Sequence, residues 1–264
     1  MSEHNYAAVA KSIISILPRK DYDDESLGPL LVRLAWHSCA TYDMATNTGG
    51  SNGATMRFRM EADDEGNSGL ETGRMFLEPI KRQYPWISYA DLWILAGCVS
   101  IKALGGPKIK WRPGRVDFVD ESLTPPNGRL PIASKGSDHV RNVFYRMGFN
   151  DQEIVCLMGA HNLGRTHPNR SGYDGPWVTN PIKFSNEFYK LLMTNDWQYT
   201  SSPTGRMQYY NHDKSLMMLP SDMVLVQDKK FRKYVKIYAL DKQRFFNDFA
   251  LAFHKLNELG VPRR

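Results

Sequence analysis

The chain has 264 residues, 42% of them hydrophobic and 23% charged, which excludes a disordered or fibrous protein and suffices for one large domain or two small ones sharing a core. Its net charge of +6 raises the question of a nucleic-acid partner. No nucleic-acid motif is recognisable and the surplus lysine reads as scattered, so none is expected. No apolar run reaches the roughly 18 residues of a membrane span, so no transmembrane segment is expected.

Helical periodicity runs through most of the chain. It predicts a first helix over 5–17, ended by Pro18, then an acidic connector (Asp21, Asp23, Asp24, Glu25) and a second helix over 28–40. A glycine-rich loop follows at 48–53, a helix at 68–82, and a long helix at 88–104 that Ser88 can cap. The stretch 105–134 holds five prolines and four glycines and reads as loop, the best boundary between two halves. Helices resume at 137–147 and 151–160, where Asn150 and Glu153 have the spacing of a capping box. Further helices fit 181–194, 229–237 and 241–258, while 198–226, rich in Tyr, Thr, Ser and Met, reads as short strands. The expected fold is mainly α, about ten helices in two halves (about 1–134 and 135–264), with a small β-like segment near 198–226. Cys39, Cys98 and Cys156 cannot all pair and include no Cys-x-x-Cys, so core thiols are expected. The opening Met-Ser-Glu-His-Asn-Tyr has the layout of neither a signal peptide nor a transit segment.

Two segments carry chemistry. In Leu31-Val-Arg-Leu-Ala-Trp-His37, Arg33, Trp36 and His37 stand at i, i+3 and i+4 and share one helix face. That face offers a permanent cation, an indole donor and an imidazole. Splitting a peroxide O–O bond can use this set: the imidazole moves the proton and the guanidinium meets the charge growing on the leaving oxygen. In Leu157-Met-Gly-Ala-His161-Asn-Leu-Gly164, a histidine at a helix end beside small residues can approach a flat cofactor closely. A metal-ligating histidine usually gives its other N–H to a carboxylate, for which Asp222 in Met217-Met-Leu-Pro-Ser-Asp222 is the candidate; spacing alone does not establish that contact.

Arg33-Leu-Ala-Trp-His37, Gly159-Ala-His161, Ser171-Gly-Tyr-Asp-Gly-Pro-Trp177 and Leu219-Pro-Ser-Asp222 together resemble the class I haem peroxidases, whose branches include cytochrome c, ascorbate and catalase-peroxidases. The likeness runs from about residue 5 to 258 and extends to Gly49-Gly50, Trp111-Arg-Pro-Gly-Arg115 and Gly128-Arg-Leu-Pro131. It implies a single haem peroxidase unit whose halves, distal and proximal, sandwich one haem b. By the resemblance His161 ligates the iron with Asp222 as its partner. Arg33 and His37 are the distal cation and base, with Trp36 near the bound oxygen, Asn67 bonded to the base and His167 at a propionate. Trp177 would lie beside His161 and bond Asp222; in the cytochrome c branch this tryptophan carries a radical next to a ferryl iron, whereas in the ascorbate branch it is present but the radical stays on the porphyrin, so its presence does not decide the branch.

The resemblance also bears on the donor. The long segment 197–216 resembles the extra β-like segment of cytochrome c peroxidases. The ascorbate branch's proximal potassium or calcium site looks damaged: Ser185 replaces its anionic ligand, Val178 and Asn162 stand where threonines would, and only Asn180 is retained. Losing that charge should ease formation of a tryptophan cation radical. Arg170, by contrast, stands where the ascorbate branch binds its donor. The mixture resembles the hybrid peroxidases of kinetoplastid protozoa. Hydrogen peroxide as substrate, reduced cytochrome c as donor and ascorbate as the alternative follow from it, with a mitochondrial location implied by the partner. Cytochrome c is basic, so Asp21, Asp23, Asp24 and Glu25 would be its docking patch, with binding weakened by salt over a Debye length of about 10 Å. A haem-binding sensor is the non-enzyme alternative, disfavoured because such a protein needs no Arg33/His37 pair.

Overall fold

Eleven α-helices and five short strands form among residues 4–263, which the computed structural model describes. The N-terminal reading at Met1–Tyr6 falls partly outside these residues. By contacts the chain divides into two units. One takes the chain up to Leu104, Lys108–Leu130 and the residues from Phe253 onward; the other takes Gly105–Pro107 and Pro131–Ala252.

The first unit is built on α1 (Tyr6–Ile16), α2 (Gly28–Cys39), the short α3 (Arg59–Ala62), α4 (Leu70–Gln83) and α5 (Tyr89–Ala103). Ser88 caps α5, its hydroxyl accepting from the Asp91 amide at 3.0 Å. Helix α5 buries nearly every side chain from Ala90 to Ile101, so it is the centre of this unit's core rather than an amphipathic surface helix. Gly97 lets α2 lie close against α5, since a Cβ there would come within 2.4 Å of the Ala35 methyl. Leu31, Leu34, Leu70, Leu92 and Trp93 fill the cluster around that contact. Arg115, fully buried, ties down the C-terminal residues: its guanidinium donates to Asp91 at 2.9 Å, to the Asn257 carbonyl at 2.6 Å and to Glu258 at 3.2 Å. Removing one partner of such a buried pair costs about 3–5 kcal/mol. All three cysteines are free and buried, as expected. Burial pushes the Cys98 thiol up to about 12 and Cys39 higher still, so neither is a nucleophile.

The second unit holds α6 (Ser137–Arg146) and α7 (Asp151–Met158), whose Asn150–Glu153 capping box forms with both hydrogen bonds, at 3.0 and 2.9 Å. A tight turn at Gly159–Asn162 follows α7. The two-residue strands β1 (Arg165–Thr166) and β2 (Gly175–Pro176) then pair antiparallel, ahead of α8 (Glu187–Thr194). The sheet β3 (Gln198–Ser201), β4 (Met207–Tyr210) and β5 (Met217–Met218) is antiparallel throughout. Helices α9 (Pro220–Gln227) and α10 (Lys229–Leu240) follow, with α11 (Lys242–Glu258) belonging to this unit up to Ala252.

Three expectations are corrected. The helix expected over 181–194 begins only at Glu187. Side-chain oxygens capture the amides ahead of it: Asn180 accepts from Ile182 N and Ser185 from Glu187 N, the local bonding that competes with a helix. The strand-like reading of 198–226 holds only to Met218, because Pro220 opens α9 at a first-turn position where its missing N–H costs nothing. The surplus of positive charge is not scattered. Lys229, Lys230, Arg232, Lys233 and Lys236 are all exposed on α10.

Candidate active site

Helix α2 carries Arg33, Trp36 and His37 as half-buried residues on one face, while Leu31, Leu34, Ala35 and Ser38 turn inward. A short turn at Glu65–Asn67, in the same unit, fixes two of the three. Arg33 donates from Nη2 to the Gly66 carbonyl and from Nη1 to the Ser68 carbonyl, both at 2.9 Å. Between these carbonyls Asn67, only 2% exposed, places Oδ1 3.0 Å from His37 Nδ1. Asn67 uses its Nδ2 to donate to the Glu61 carbonyl at 2.8 Å, so its oxygen is the atom facing His37. Nδ1 of His37 is therefore the protonated nitrogen, and Nε2 is left with a lone pair. Burial, and secondarily the Arg33 charge, hold the His37 pKa well below its ordinary 6.5, partly offset by Asn67. At neutral pH this imidazole is an unprotonated base beside a cation, the state that proton abstraction needs.

The second unit assembles His161, Trp177 and Asp222. The small Gly159 is required in the turn before His161, since a Cβ there would collide with the hydroxyl of Tyr189 and the ring of Phe245. Asp222 lies in the first turn of α9, where the helix N-terminus favours an anion. It is fully buried and accepts three hydrogen bonds: from His161 Nδ1 at 2.7 Å, Trp177 Nε1 at 2.8 Å and Leu219 N at 2.8 Å. A carboxylate only accepts, so His161 carries its proton on Nδ1 and presents Nε2 unprotonated. Trp177 stacks on the imidazole with centroids 4.1 Å apart and planes 10° from parallel, and Phe188 meets it edge-on at 5.7 Å. The β1–β2 pair supplies this juxtaposition, because β1 follows the His161 turn and β2 ends one residue before Trp177. Thr166 on β1 donates from its hydroxyl to the Gly175 carbonyl at 3.0 Å. The His161 side chain keeps 30% of its surface exposed, whereas Trp177 and Asp222 are buried. An oriented, carboxylate-backed imidazole whose Nε2 carries no proton suits the axial ligand of a haem.

The remaining expected residues lie on other segments of the chain. His167 and Arg170 are half-buried in one turn, where the His167 carbonyl accepts from the amides of Arg170, Ser171 and Gly172. Asp23, Asp24 and Glu25 form a 3₁₀ turn, and Asp21 pairs with Arg19 at 2.6 Å, so the connector's charge is partly neutralised on the spot. Where the cation ligands would lie, the side chains bond one another. Asn162 Oδ1 accepts from the Ser185 hydroxyl and the Phe188 amide, both at 3.1 Å, and Val178 is fully buried. Sequence reasoning missed Glu61 and the carbonyls of Gly66 and Ser68. The atoms that orient Asn67 and Arg33 are backbone, which no residue type announces. Glu61 itself is buried and bonded to the Thr55 hydroxyl at 2.5 Å, with its carboxyl pushed up to about 7 by burial.

The peroxidase family model matches residues 9–241. A protein of Yarrowia lipolytica named "Putative cytochrome c peroxidase, mitochondrial" is 60% identical over all of this chain and 92% of its own length. A second from that organism, named "Putative heme-binding peroxidase", is also 60% identical, over 97% of this chain and 87% of its own. One of that name from Candida albicans is 54% identical over 98% and 89%. Matched over most of its length by the family model and nearly end to end by these relatives, with its two histidine motifs in the order the class requires, the chain belongs to the peroxidase family and is a class I haem peroxidase.

Proposed function

We propose that this peroxidase reduces hydrogen peroxide to two waters with two protons from solvent and two electrons, each electron delivered by one reduced cytochrome c and relayed through Trp177. His161 would hold one haem b through Nε2, with His167 serving a propionate. When bound, the haem would supply redox chemistry for cleavage of the O–O bond, and Trp177 would hold one of the two oxidising equivalents. The chain's own residues manage the protons and charge. His37 Nε2 accepts the proton of the bound oxygen and returns it to the leaving oxygen, while Arg33 offsets the negative charge that grows there. Trp36, on the same face of α2, would contact the bound oxygen or its waters. Asn67 keeps His37 in the required tautomer. Asp222 does the same for His161 and accepts from the Trp177 indole, placing a buried negative charge where a tryptophan cation radical would form.

The observation that carries this reading is the single carboxylate shared by His161 and Trp177 with their rings stacked. One oxygen at the place of that cation site, Asn162 Oδ1, accepts from Ser185 and Phe188, which disfavours a potassium or calcium ion that would oppose the radical. The first relative's name points to the same donor and to a mitochondrial setting. Docking of cytochrome c would use Asp21, Asp23, Asp24 and Glu25. A second reading is favoured by Arg170, which the turn after His167 holds half-buried: ascorbate as donor. Steady-state peroxide turnover of the haem-loaded protein, with reduced cytochrome c and with ascorbate in parallel, separates the two. Far faster cytochrome c oxidation supports the proposal, and faster ascorbate oxidation replaces it with the Arg170 reading.

A further inference from the structure

Residues 229–244 contain seven Lys or Arg and one acid, and thereby hold the whole net charge of +6; the rest of the chain has as many acids as bases. Five of the seven lie on α10 and are exposed. Phe231, Val235 and Tyr238 anchor one side of this helix in the core. On the other side Lys229, Arg232, Lys233, Lys236 and Leu240 follow at helical spacing as one stripe, flanked by Lys230 and Ile237. Leu240 is 90% exposed and Ile237 41%. None of the five cations has an ion-pair partner among the described residues; the nearby acids Asp228 and Asp248 are engaged by Arg141 and Arg244.

This charge pattern works against the helix that bears it. Two lysines occupy the first turn, where the helix dipole disfavours cations, no acid stands in that turn, and no base stands in the last. Lys229 with Lys233, and Arg232 with Lys236, are like-charge pairs at i, i+4, which destabilise a helix. Folding therefore gives no reason for the stripe, and an external anion does. A double helix of nucleic acid would pair with the cations but would offer nothing to Leu240 and Ile237. Lysine, which makes up four of the five, is a point charge without the planar fork that reads bases. A lipid surface satisfies both chemistries, taking the cations at its headgroups and the two aliphatic side chains at the acyl boundary.

We propose that the exposed face of α10 docks this peroxidase on a bilayer containing anionic phospholipid. The face is separate from the residues assigned to peroxide chemistry, so its test does not depend on the electron donor. Sedimentation of the haem-loaded full chain with phosphatidylcholine vesicles, with and without phosphatidylserine, reads it directly. Binding is expected only with phosphatidylserine present, and it should fall as salt rises. Each Lys or Arg near an anionic surface strengthens binding roughly fivefold, so the combined variant Lys229→Gln, Lys233→Gln, Lys236→Gln should lose about 100-fold. That variant should keep its peroxide turnover with a small-molecule donor, which also verifies its fold. Leu240→Ser should weaken binding at unchanged charge. No binding to the anionic vesicles, equal binding to phosphatidylcholine alone, or a triple variant that binds as well as the parent would overturn the proposal. So would a Leu240→Ser variant with undiminished binding, because the face would then be a bare polyanion site.

Discussion

Replacing Asp222 by asparagine removes one charge and one acceptor at constant size, at a residue with no exposed surface. Three donors converge on its two oxygens: His161 Nδ1 on Oδ1, and Trp177 Nε1 with Leu219 N on Oδ2. An amide offers a single oxygen. If that oxygen replaces Oδ1, the Trp177 and Leu219 donors are both left buried without a partner, at about 1–3 kcal/mol each. If it replaces Oδ2, only the His161 contact is lost, and His161 can escape the opposing NH₂ by moving its proton from Nδ1 to Nε2. The second orientation is therefore favoured, and it leaves Nε2 carrying a proton that must move before this nitrogen can ligate. The fold should lose about 1.5–3 kcal/mol, the value of a hydrogen bond to a charged group. The affinity for haem should fall roughly 10–100-fold, as when an outer partner of a metal ligand is removed. Titration of the apoprotein with haem, followed by absorbance, together with a thermal melt, measures both. Unchanged haem affinity would refute the reasoning that Asp222 sets the tautomer of His161.

Other expectations follow from the same geometry. In Arg33→Leu, loss of the cation should raise the His37 pKa toward its ordinary value. Because the base works only when neutral, the acid limb of the peroxide-step pH profile should move to higher pH; an unmoved limb would mean that Arg33 does not act on His37. The same variant should slow the step by roughly 100-fold or more, as when a group stabilising developing charge is removed. Trp177→Phe should leave peroxide cleavage nearly intact and abolish turnover with cytochrome c. Retained cytochrome c turnover would move the radical to another residue.

Much of the chemistry was legible because it lies in short contiguous patterns. Arg33, Trp36 and His37 share a helix face by spacing alone, and a capping box announced the start of α7 at Asn150. The partnership of His161 with Asp222 spans 61 residues: ligand chemistry made Asp222 a candidate, but no periodicity encodes the contact and spacing alone did not establish it. What stayed hidden has physical reasons. Asn180 and Ser185 draw backbone amides into local turns, so the apolar pattern before Glu187 misleads. Pro220 lies inside the stretch read as short strands but is a helix opener. The lysines of α10 looked unremarkable as composition. They became a feature once Phe231, Val235 and Tyr238 were seen to bury the opposite side.

The most direct test of the account is the rate of the peroxide step in the haem-loaded protein, measured by rapid mixing in the parent and in His37→Leu. With His37 Nε2 as the base, the variant should be slower by roughly 10²–10⁴-fold, the contribution of a positioned general base. A variant that cleaves peroxide at the parent's rate would contradict the assignment of His37, and with it the proton chemistry built on α2.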